Sequence, residues 1–178
     1  MVRAGGLTSA AMDVFSFTTT HSTGPEMGLL LLENDEWVLV MHIPADYALD
    51  GYKLYRKRYL TARTAGEEEH RVARVLRLKR VEREPPEGFQ FADTLTMLQE
   101  IAHDHGLIEF YDEEEGETFY GRIHSAADGM ITLEMIDADG HAEIDTDQDH
   151  VLELISEITF GSDYLNSLYL LWKDTRRE

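Results

Sequence analysis

The sequence predicts an α+β fold built mainly of antiparallel β-structure: two related small barrel-like modules joined by helices, with a C-terminal helix closing the second. Three observations lead there. Short apolar runs bounded by turn residues occur in 28–43 and again in 120–160, and both follow the order strand, polar turn, strand, Asp-Gly turn, strand. Segments with helical spacing of apolar residues lie between and after them. With 178 residues, 43% of them hydrophobic, the chain can bury a core. The implied organisation is an N-terminal extension with a candidate first strand (1–25), a first β module (26–64), a helical connection (65–105), and a second β module with its closing helix (106–178).

Each element has its own signal. The stretch GLLLLENDEWVLVMHI at 28–43 is two strand-like runs split by the polar residues 33–36, a hairpin. Asp50 and Gly51 then supply a turn into a strand that interleaves Tyr52, Leu54, Tyr55 and Tyr59 with basic residues. In EEEHRVARVLRLKR, Val72, Val75, Leu76 and Lys79 recur at helical spacing behind three glutamates suited to the positive end of a helix dipole. Arg71, Arg74, Arg77 and Arg80 make its outer face basic. The two prolines of REPPEGF break the chain. A second helix follows, with Asp93 or Thr94 as its cap, Phe91, Leu95, Leu98 and Ala102 as its stripe and Gly106 at its end. Ser162 or Asp163 caps a third helix, which presents Leu165, Leu168, Tyr169 and Trp172. Setting Gly28 on Gly121 places Trp37, Val38, Val40 and Ile43 against Met130, Ile131, Leu133 and Ile136, which points to an internal duplication.

Composition removes several function classes. Without cysteine there is no disulfide framework, thiolate nucleophile or Cys-based zinc site. The longest apolar runs, at 29–32 and 37–41, are too short to span a bilayer, and the first eleven residues read as a loose extension rather than an export signal. A cytoplasmic protein is therefore expected. Residues 1–83 hold 12 basic and 11 acidic residues, whereas residues 84–178 hold 4 and 24, within a net charge of −19. Such a field repels nucleic acid from the C-terminal half and attracts cations or a basic partner; it equally serves solubility in a salt-adapted cytosol.

The pieces DGYKLYRKRYLT and ISEITFGSDYLNSLYLL resemble the sheet edge and the strand with closing helix of a small uncharacterised bacterial family. The order GRI, ITLEMI, DADG resembles an Sm-like small β-barrel. The resemblance spans residues 26–64 and 106–172 and implies a barrel fold, with RNA binding or ring assembly for the Sm-like kind. No paired loop signature that would carry RNA contacts accompanies it.

The candidate sites are few. Interleaved Tyr and basic residues at 52–59 are what single-stranded nucleic acid or a phosphate-bearing partner would need, and Tyr52, Tyr55, Arg56, Arg58 and Tyr59 are the residues expected to bind a partner. The alternative is a strand whose tyrosines pack inward and whose basic side chains pair with acids. In DTDQDHVLE, Asp145, Asp147 and Asp149 alternate like the first ligands of a calcium loop, but the loop glycine and the closing glutamate are missing. These aspartates read as an insertion between two strands of a repeated module, placed in water. His103 and His105 end a helix at a spacing that does not face one site. The acidic run 112–117 reads as an exposed loop without the desolvation that catalytic carboxylates require. No phosphate-binding, dinucleotide or nucleophile-elbow pattern and no cofactor motif is present. The expected function is a non-enzymatic binding or assembly module, its partner a protein or a second copy of the chain. RNA binding and metal-dependent hydrolysis are the alternatives.

Overall fold

The computed structural model describes residues 12–143 and 148–177, and the N-terminal extension expected at 1–11 lies outside them. The fold is α+β. Among the described residues ten strands and three α-helices follow in chain order: β1 (Val14–Thr19), β2 (Glu26–Glu33), β3 (Trp37–Ile43), β4 (Tyr52–Arg56), β5 (Leu60–Thr64), α1 (Glu67–Leu78), α2 (Thr94–His105), β6 (Ile108–Asp112), β7 (Glu117–Ala127), β8 (Met130–Met135), β9 (Gln148–Val151), β10 (Ile155–Phe160) and α3 (Asp163–Thr175). Single 3-10 turns, Lys57–Tyr59 and Leu152–Leu154, link β4 to β5 and β9 to β10.

All ten strands join one antiparallel sheet in the order β5-β1-β2-β3-β4-β10-β6-β7-β8-β9. The sheet is open, with β5 and β9 as its edges, and differs in this from the closed barrels expected. The reason is hydrogen bonding. The second edge of β4, which closure of residues 14–64 on themselves would occupy, is taken by β10, with Tyr55 opposite Glu157 and Leu54 opposite Ile158.

The pairing register repeats along the chain. Gly28 faces His42, and Gly121 faces Met135, both members 93 residues on. The bulge between Leu30 and Leu32 recurs between Ile123 and Ser125 at the same offset. From β4 onward the offset is 95, because Trp37 faces Arg56 while Met130 faces Val151. The segment joining β8 to β9 is thus longer than its counterpart by only two residues. The insertion of about six expected from the Asp-Gly turns is corrected accordingly, since Gln148 and Asp149 belong to strand β9 itself.

The helices form where capping and periodicity placed them. Asp93 accepts from the Thr96 amide and Ser162 from the Leu165 amide; Glu69 reaches back to the Gly66 amide at 2.7 Å. Val72, Ala73 and Leu76 of α1 pack on Val14, Leu29 and Ile43 of the first strands. Helix α2 lies across the β4–β10 seam: Met97, Leu98 and Ile101 share one core with Leu39 and Leu54 from one side and Phe110 and Ile158 from the other. Each such side chain contributes about 1.5–3 kcal/mol of burial. Helix α3 seats Leu165, Leu168 and Trp172 against Leu107 and Ile136, covering the C-terminal strands as expected. Among the described residues no helix is long and apolar enough to cross a membrane.

Candidate functional site

The Tyr/Arg strand lies at the centre of the sheet, between β3 and β10. Tyr55 is buried, stacks on Phe17 and donates to Glu26 Oε2 at 2.9 Å. Arg56 is buried as well. Its guanidinium donates to the carbonyls of Leu152 and Glu153 at 3.1 and 2.6 Å and to Thr94 Oγ1 at 2.6 Å, and it lies over the Trp37 ring. It ties β4 to the 3-10 turn before β10 and to the first turn of α2. Tyr52 is half-buried and stacks on Phe160. Arg58 is exposed, with Glu153 Oε2 at 2.9 Å, and the Tyr59 hydroxyl donates to the Glu153 carbonyl at 3.4 Å. Of the five residues expected to bind a partner, the structure keeps Arg58 at the surface and turns Tyr55 and Arg56 inward.

The same strand carries the most concentrated ionic cluster of the seam. Lys53, buried, stands 2.5 Å from both Glu26 Oε2 and Glu157 Oε2. His21 approaches Glu113 and Glu157 with its two ring nitrogens, at 3.1 and 3.0 Å, and stacks on Tyr111. Burial works against the Lys53 charge, but Glu157 and Glu26 outweigh it and hold the ammonium above its ordinary pKa. Burial pushes Glu26 up as well, and Lys53 and the Tyr55 hydroxyl more than reverse this. Glu109 beside them is pushed up by burial, and His42 is pushed down by burial and then by Lys53. Through these two carboxylates Lys53 ties β4 to β2 on one side and to β10 on the other.

A second polar pair sits inside the C-terminal strands. His150 Nδ1 lies 2.7 Å from Asp112 Oδ2, both side chains are buried, and the imidazole packs against Phe110 and Phe119. Asp112 also accepts from the Glu114 amide at 2.8 Å. Its burial corrects the reading of 112–117 as wholly exposed. The signal was available only as a strand ending at Asp112, and its partner is 38 residues away.

Among the described residues the metal candidates Asp149, His103 and His105 do not converge. Asp145 and Asp147 lie outside the described residues, whereas Asp149 is exposed on β9 and accepts from Thr132 Oγ1 at 2.6 Å. His103 is exposed, and His105 is half-buried against Phe160, its pKa lowered by burial. Among the described residues no three His, Asp or Glu side chains gather as a metal ion would require. No family model, curated protein or solved structure matches the chain. One cleft of ≈270 Å³ opens between α2 and the loop before it, walled by Phe89, Met97, Ile101 and Phe160 with His103 and His105 at its lip. The surfaces with free bonding capacity are instead the sheet edges. Among the described residues β5 and β9 each pair on one side only, which leaves a row of backbone donors and acceptors on the other.

Proposed function

We propose that the protein is a non-enzymatic binding or assembly module made of two Sm-like units, residues 14–64 and 106–172, fused through one strand pair. The observation that carries this reading is the repeated register: strand order 5-1-2-3-4 in the first unit is matched by 10-6-7-8-9 in the second, bulge for bulge. A unit of this plan presents one strand edge at each end. The β4–β10 seam uses one edge from each unit and leaves β5 and β9 for partners. The cytoplasm is its expected compartment.

RNA binding is supported less well, because the rings and guanidinium that would stack on bases are occupied inside the protein. The test is affinity capture from lysate with and without nuclease, read for protein and for nucleic acid, together with the mass of the purified protein in solution over a range of concentrations. A defined assembly or a nuclease-insensitive protein partner supports the reading. Recovery that vanishes with nuclease or falls steeply with salt favours the RNA alternative. A monomer that recovers nothing overturns the module reading.

A further inference from the structure

The seam between β4 and β10 is a working example of how these edges pair, and the repeated register transfers it to the two free edges. By the offset of 95, β9 stands where β4 stands and β10 where β5 stands. In the seam Glu157 faces Tyr55, Ile158 faces Leu54 and Thr159 faces Lys53. Moving each by 95 puts Ala62 opposite His150, Arg63 opposite Asp149 and Thr64 opposite Gln148. We propose that β5 of one copy of this chain pairs antiparallel with β9 of a second copy in that register, with Arg63 set directly against Asp149 of the second copy.

This deepens the assembly reading and rests on it, because it names the partner. Charge supports the choice. The apolar pair Leu54 and Ile158, buried at the seam, is replaced at the open edges by an aspartate and an arginine, opposite in sign and both exposed. Directly opposed cross-strand charges of opposite sign stabilise a pairing and fix its register, whereas like charges oppose it. In the single chain Arg63 already meets Glu33 at 3.2 Å and lies over the Phe15 ring, which holds its guanidinium on the sheet. The planar fork has donors left for a second carboxylate. Asp149 is exposed and accepts from the Thr132 hydroxyl at 2.6 Å through one oxygen, Oδ1. Because the two edges belong to different ends of the sheet, the contact is head-to-tail and extends to a ring or a chain of copies rather than a two-fold dimer.

Charge exchange tests this on the full-length chain, followed by sedimentation over a concentration series, with far-UV circular dichroism to verify folding. Arg63→Asp and Asp149→Arg should each weaken self-association at least about tenfold. Mixing the two single variants should restore it, since each then offers the edge that the other lacks, and the variant carrying both changes should assemble alone. If wild type assembles and the single variants assemble equally well, or if neither mixing nor the double change rescues them, the β5–β9 pairing is overturned while the assembly reading stands. A wild type that stays monomeric yet captures a different protein overturns self-pairing alone. A monomer that captures nothing overturns both.

Discussion

Strands β4 and β9 hold the same place in two matching pairing orders, yet one reads YKLYR and is buried almost throughout while the other reads QDHV and is half exposed. Their neighbours differ in the same way: β10, ISEITF, is buried along its length, and β5, LTART, is nearly all exposed. Register alone does not explain the contrast. It follows from β4 and β10 covering each other under α2, whereas β9 and β5 face outward. In β4, which is covered, the buried polar side chains of Lys53, Tyr55 and Arg56 each find partners. At the edges, charge and hydroxyl side chains remain in water, which also guards an open strand against indiscriminate pairing.

Exchanging the two environments should break the contrast most severely. Leu54→Asp puts an unpaired carboxylate beneath α2 and should cost on the order of 4 kcal/mol or more in urea unfolding. Its mirror image, Asp149→Leu, should change monomer stability by about 0.5 kcal/mol or less. Next in size, Lys53→Met removes the cation from between Glu26 and Glu157 and leaves a buried carboxylate beside an apolar side chain. A loss of about 3–5 kcal/mol is expected at neutral pH, partly recovered when Glu157→Gln is added.

The paired glycines sharpen the comparison at smaller scale. A Cβ at Gly121 would lie 2.2 Å from the Glu134 carbonyl oxygen, which the β-ladder holds in place, whereas at Gly28 it would meet the Val40 side chain at 2.6 Å. Both alanine substitutions should lower the melting temperature, at about 1–3 kcal/mol each, with Gly121→Ala the more costly because backbone yields less than a rotamer. The smallest effect concerns pH. Burial raises the Glu109 pKa in the folded state, so its contribution is present in full below the unfolded carboxyl range and is lost as pH rises through the folded value. Glu109→Gln should therefore gain stability relative to wild type at pH 8 and show little gain at pH 4, as thermal melts at the two pH values would reveal.

Local chemistry was readable from the chain. The caps at Asp93 and Ser162, the acidic start of α1 and the 28–43 hairpin all depend on residues a few positions apart, and the structure has them where spacing placed them. The offset of 93 was legible in the same way, through Gly28 and Gly121. What could not be read is who covers whom. Interleaved tyrosines and cations describe equally well a strand open to nucleic acid and one whose side chains are partnered by Glu26, Glu157 and the turn at 152–154. Only the pairing of β4 with β10 decides between them. Asp112 was missed for the same reason, since an acidic run reads as solvated until His150 is seen against it.

The seam also sets a schedule for folding. Tyr55 and Glu157 meet across about a hundred residues of chain, so their pairing requires closure of a long loop, whereas the hairpins on either side close locally. During synthesis β4 emerges well before β10 exists, and its edge stays uncovered until the last strand arrives. In that interval a β10 supplied by another chain could occupy the place, with the same residues and the same register. Slow release of the final strand at high expression would thus yield exchanged dimers, whose rate of return to the native form is the rate of opening the seam.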